Sequence, residues 1–385
     1  MKQIAILGGY GNVGMVAASY LVKKGGVDLY ICGRNYQSAS KAVEKLERLA
    51  EEQGNIQDVQ CRPYQVDIQR SDSLRSLLST CDVVVNCTGP TALIGDKVAR
   101  VAIDADCHMV DPGGYDYVIE LIKDLEDVVK DKKLQLCFAA GIVPGISASL
   151  PLVMAKQFSQ IFSLNSYFAG EDVWSYGSMY DMVCGMGELK ELGASQAKNK
   201  KRIPLPVSER FVHFPQLPDP FGKSIAQPFY TKEFERVVKD TEAFLGKCFW
   251  VNTGPAFSAT LSLMRMLRCY RSPALTDLAA RLLCRVSAWD GNRRTSKGYM
   301  LVTNITGVQD GAVSSVQGTL RFPDSYTGTG LATAMMAHRI VTGASKASGI
   351  GSFPKMIPPK AVIDVLREEG IEMELREGES HAVAC

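Results

Sequence analysis

Gly9-Tyr10-Gly11-Asn12-Val13-Gly14 is the first run in this chain whose residue types and spacing can do chemistry. A G-x-G-x-x-G that leaves a strand and opens a helix is built to hold a pyrophosphate. In that arrangement Gly9 permits a tight turn, Gly11 lets the phosphates reach the backbone, and Gly14 brings the helix close to the sheet. The N–H groups of Asn12 and Val13 then open the helix, where unpaired donors and the helix dipole both favour an anion. The expected ligand is a dinucleotide.

Which dinucleotide depends on the end of the second strand, Leu29-Tyr30-Ile31-Cys32-Gly33-Arg34-Asn35. A site selective for NAD places Asp or Glu there, on the ribose 2′-hydroxyl. Arg34, with Asn35 beside it, stands there instead. A guanidinium binds a 2′-phosphate bidentately and stacks on adenine, whereas a carboxylate would repel that phosphate. The expectation is NADP, with NADPH preferred over NADH by at least ~10-fold.

Two further strand ends face the same crevice. Asp67 either accepts from the adenine amino group or serves as a turn residue. Asn86-Cys87-Thr88-Gly89-Pro90 ends the fourth strand, where the nicotinamide ribose belongs. Thr88, Gly89 and Pro90 are expected to contact the cofactor, Gly89 by close approach and Pro90 by stiffening the loop. Tyr20-Leu21-Val22-Lys23-Lys24 fits a Y-x-x-x-K pattern, but it lies in the first helix beside the phosphate loop, so the match is fortuitous.

The elements that must position these residues alternate regularly. Ile4–Leu7, Leu29–Cys32, Val59–Val66, Asp82–Asn86, His108–Asp111 and Leu134–Ala139 read as strands, with Pro63 weakening the third. Helical patterns of about 10–15 residues separate them, which implies a parallel sheet with right-handed crossovers. Six such strands match a doubly wound, Rossmann-type α/β domain.

The pattern changes after Gly141. Residues 146–158 look helical, and two more helices are expected near 257–270 and 275–287. Gly298–Val308 and Ala312–Phe322 flank Gln309-Asp310-Gly311 as a hairpin. The expected organisation is a Rossmann domain over 1–145 rejoined by 327–375, with an α+β domain over 146–326 that carries substrate and dimer contacts.

Composition narrows the function classes. A net charge of +2 argues against a nucleic-acid or membrane-surface role driven by bulk electrostatics. The basic run Lys198-Asn199-Lys200-Lys201-Arg202 reads as a solvated loop, since no aromatic residue interleaves it. No apolar run approaches the ~20 residues of a membrane span. Eleven cysteines without a C-x-x-C pair fit a reducing, cytoplasmic setting. The four histidines fall in no ligand spacing, so no metal site is expected.

Several of these segments together resemble the saccharopine dehydrogenase-like oxidoreductases. The similarity is carried by Ile6–Gly14, Cys32–Asn35, Val85–Pro90, His108–Asp111, Gly141-Ile142-Val143-Pro144-Gly145, Tyr326–Gly330 and the Pro358–Ile371 tail. The resemblance implies hydride transfer from NADPH to the imine (C=N) of an amino-acid-derived, opine-like substrate, in a homodimer. It makes Asp111 a candidate for proton handling or for holding a cationic nitrogen, the alternative being a strand-end cap. Tyr115 and Tyr117 are either phenolic donors or packing residues. Substrate carboxylates would be met by Arg265 and Arg268, at helical spacing, or by Arg293-Arg294, and Trp174–Asp181 would face substrate. Related chains leave C=C or C=O reduction open, and a non-catalytic NADP sensor is the contrasting class.

Overall fold

Strand β1 (Lys2–Leu7) is buried from Ile4 onward because it lies inside a parallel sheet covered on both faces. The computed structural model describes residues 1–55, 57–113, 116–170, 172–210, 215–252, 254–291, 298–377 and 381–382. Tyr115, Arg293 and Arg294 lie outside them.

The chain divides into two units, Met1–Ile146 with Tyr326–Val362, and Ser147–Ser325 with Ile363–Cys385. In the first, β2 (Val27–Gly33), β3 (Val59–Gln65), β4 (Val83–Asn86), β5 (His108–Val110) and β6 (Gln135–Phe138) join β1 in the order β6-β5-β4-β1-β2-β3. Every pairing in this sheet is parallel. Pro63 sits in β3 at the sheet edge, where a missing N–H breaks no ladder. Helix α1 (Asn12–Lys24) follows β1, and α2 (Tyr36–Glu52) follows β2.

A seventh strand completes the sheet beyond β6. It is Gly349–Ser352, supplied by the returning chain and paired in register with Gln135–Phe138. Six strands are expected from the sequence; this one is missed because Gly-Ile-Gly-Ser carries a single large apolar residue and no alternation. The return also ends earlier than 375. Met373–Glu377 pairs antiparallel with a strand of the second sheet, so residues from 363 onward cluster there.

The second unit holds a nine-stranded mixed sheet. Strands β7 (Gln160–Gly170), β8 (Ser195–Lys198), β9 (Lys201–Pro204), β10 (Ala226–Pro228), β11 (Leu245–Asn252), β12 (Tyr299–Gln309) and β13 (Ala312–Phe322) are joined by Met373–Glu377 and His381–Ala382. β7 and β11 run parallel, and the other neighbours antiparallel. The β12–β13 turn uses Asp310 and Gly311 at φ +50° and +80°, the double left-handed geometry that a two-residue hairpin requires. The basic run forms the same kind of turn through Asn199 and Lys200 rather than an open loop, and its side chains are exposed.

Candidate functional site

The loop from β1 to α1 is tightly made. Gly8, not Gly9, takes the left-handed conformation at φ +70°, and a Cβ there would lie 2.7 Å from the Cys87 carbonyl oxygen. Gly9 is needed for packing: its Cβ would stand 2.8 Å from the Ile6 oxygen and 3.0 Å from Ile31. A Cβ on Gly14 would reach 2.4 Å from the Gly8 oxygen, so this glycine lets the helix pack on the loop itself.

Gly11 differs from these. It is exposed, its backbone is extended at φ −78° and ψ 171°, and only the Gly8 oxygen, at 3.1 Å, would lie near an added Cβ. Its side of the loop is open, and no side chain caps α1. The N–H groups of Asn12, Val13 and Gly14 therefore begin a helix that offers them no acceptor of its own. No acidic residue stands in that first turn. The cradle suits a phosphate.

Arg34 follows β2 at the neighbouring strand end. Its carbonyl accepts from Gln65 Nε2 at 3.0 Å. Among the described residues its exposed guanidinium makes no ion pair, leaving it available to a ligand. Sequence reasoning missed what holds this turn. The Tyr10 ring lies against Gly33 so closely that a Cβ there would come within 2.3 Å, and the Tyr10 hydroxyl accepts from the Asn35 N–H at 3.3 Å. The only signal was a glycine directly before Arg34. The Asn35 side chain caps α2 by accepting from Ser38 N at 2.9 Å, so its first duty is structural.

Asp67 accepts from Gln69 N at 3.0 Å, the turn alternative of its two readings, while its half-buried carboxylate lies beyond β3. Ile68 packs against the core. At the end of β4, Thr88 is half-buried, Gly89 exposed and Pro90 buried, with a cis Gly89-Pro90 bond. The Thr88 hydroxyl donates to Asn86 Oδ1.

Asp111 is 6% exposed, and both its oxygens are engaged. Oδ2 accepts from Asn86 Nδ2 and Oδ1 from Gly113 N, each at 2.7 Å. The strand-end role is thus present in the structure. Burial, with Asp111 nearby, pushes the Cys87 thiol up, so it stays neutral and is no nucleophile near pH 7.

The returning helix Ser325–Val341 braces this framework. Thr333 Oγ1 donates to the Ala140 carbonyl at 2.8 Å, and a Cβ on Gly330 would fall 2.5 Å from Val16 of α1. In the second unit, Arg265 lines an apolar cavity with Met182, Met186, Phe229, Trp250 and Leu261. Arg268 does not share its helix face, because the helix ends at Met266 and Arg268 turns left-handed at φ +56°. Among the described residues no cluster could hold a metal and no helix is long and apolar enough to cross a membrane.

Comparison with known proteins places this geometry. Residues 4–135 match the family model described as the saccharopine dehydrogenase NADP binding domain. The apo saccharopine dehydrogenase (L-Glu forming) of Saccharomyces cerevisiae aligns with 98% of this chain and 100% of its own, at a TM-score of 0.70 and 14% identity, which shows the fold. GenD2 from gentamicin A biosynthesis, in complex with NAD, aligns at a TM-score of 0.44 and 12% identity over 98% of this chain and 96% of its own. No curated protein matches the sequence.

Proposed function

We propose, from a chain whose residues 4–135 match the saccharopine dehydrogenase NADP binding domain, an NADPH-dependent reductase of the imine bond in an amino-acid-derived, opine-like substrate. The observation that carries this reading is the pairing of an open, uncapped α1 N-terminus with an exposed, unpaired Arg34 at the end of β2.

In this reading the N–H groups of Asn12, Val13 and Gly14 hold the pyrophosphate, and the Arg34 guanidinium meets the 2′-phosphate. Asp67 stands beside the adenine end, and Thr88, Gly89 and Pro90 form the wall at the nicotinamide end. When bound, NADPH supplies a hydride from C4 of its nicotinamide. A protonated imine is already electrophilic, so the protein needs chiefly to orient it and exclude water. Asp111, which accepts from Asn86 and Gly113, would then hold the ends of β4 and β5 beside that imine. Arg265, which lines an apolar cavity of the second unit, is the group we assign to a substrate carboxylate. The same reading takes a cytoplasmic homodimer.

An NADPH-oxidation screen of amines paired with α-keto acids or aldehydes tests it. Turnover that requires both partners is the expected result. Turnover with the carbonyl compound or an enone alone would replace imine reduction by C=O or C=C reduction. Tight NADPH binding without turnover across the panel would point to a sensor.

A further inference from the structure

Exposed large apolar side chains in the second unit are concentrated on two adjacent helices. Leu275, Leu278, Leu282 and Trp289 recur along Pro273–Gly291 at helical spacing and form one stripe. Leu278 is 64% exposed and Trp289 48%. On Pro255–Met266 and the residue after it, Leu263, Met266 and Leu267 are also exposed, Met266 at 72%. The opposite faces make the fold: Phe257 and Met264 join Ala279, Ala280 and Leu283 in a core with Met179, Val183 and Met186. Each helix therefore carries large apolar side chains on its outer face as well as its inner one, whereas a helix layer facing water is ordinarily polar there.

The charges left without an ion pair among the described residues have one sign. Arg268 and Arg271 lie in the turn between the helices, and Arg285 sits within the stripe between Leu282 and Trp289. All three are exposed, and none forms an ion pair among the described residues. The two acids of this segment are already engaged: Asp277 with Arg281 at 2.9 Å, and Asp290 with the Phe257 N–H at 2.7 Å.

We propose that this face binds the surface of an anionic lipid bilayer. Leucine, methionine and tryptophan enter the boundary between headgroups and acyl chains, while guanidinium groups meet the negative headgroups, so one partner satisfies both chemistries. A second copy docked by a two-fold axis would cover the apolar stripe, but it would bring up the same face, whose two acids are already engaged, and so offer the arginines no acid to meet. The contact is peripheral, since no described helix can span a membrane. A net charge of +2 for the whole chain conceals this local excess, which is why composition argued against a membrane role.

Co-sedimentation of the full chain with vesicles tests the proposal without reference to its cofactor. Vesicles of phosphatidylcholine containing about 30% phosphatidylglycerol should bind it at least ~10-fold better than phosphatidylcholine alone, with the advantage lost in high salt. The double variant Leu278→Glu, Leu282→Glu should lose the binding. The pair Arg271→Glu, Arg285→Glu should lose only the preference for anionic lipid, with unchanged circular dichroism. No sedimentation with either vesicle, or binding insensitive to both variants, would overturn the proposal. So would a dimer in light scattering that Leu278→Glu, Leu282→Glu converts to a monomer, which would make a second copy the occupant.

Discussion

Asn86 Nδ2 donates to Asp111 Oδ2 at 2.7 Å and so ties the carboxyl ends of β4 and β5 together in a buried, charge-assisted bond. Asp111 also accepts from Gly113 N, and Asn86 in turn accepts from the Thr88 hydroxyl. This chain of bonds holds the loop we assign to the nicotinamide end. Asp111→Ala would leave one buried and one half-buried donor unpaired, and should cost about 2–3 kcal/mol in urea unfolding. A cost below about 0.5 kcal/mol would show that the tie does not support the framework.

The glycines of the phosphate loop should separate by experiment. Gly14→Ala forces a methyl group to within 2.4 Å of the Gly8 oxygen, so it should destabilise the fold by about 1–3 kcal/mol. Gly11→Ala has an allowed backbone and meets little, so thermal stability should hardly change while NADPH affinity falls. Equal NADPH binding by Gly11→Ala and the parent chain would remove the close-approach role.

Arg34→Ala should weaken NADPH about tenfold or more and leave NADH nearly unchanged, because only the 2′-phosphate is lost as a partner. Calorimetric titration of both cofactors checks this. Equal affinities in the parent chain would refute the assignment.

His108 gives a pH signature. Its Nδ1 accepts from the Gln135 N–H at 3.0 Å, and burial holds its pKa below the usual 6.5. The unfolded chain takes up a proton there before the folded one does. The stabilising contribution is thus complete above pH 6.5 and is lost as pH falls through the lowered folded value, at no more than about 1.4 kcal/mol per unit. Melting curves from pH 8 to 5 should flatten in His108→Asn relative to the parent. Parallel curves would show that another group sets the slope.

The N-terminal sheet was legible in the sequence because parallel strands buried on both faces are continuous apolar runs, as in Val83-Val84-Val85. The glycine spacing and the absence of an acid after β2 spoke for the cofactor in the same way, since both are properties of neighbouring residues. Tertiary structure decided what depends on residues far apart in the chain. It gave the sheet its seventh strand, Gly349–Ser352, whose pairing rests on backbone bonds to β6 rather than on its own side chains. It placed the Tyr10 ring on Gly33 and paired Asp111 with Asn86, a tie between the ends of β4 and β5 that no local pattern announces. It also showed that leucines spaced for a core helix face outward beside unpaired arginines. Periodicity reports that a helix has an apolar face, but only packing determines whether that face meets protein or solvent.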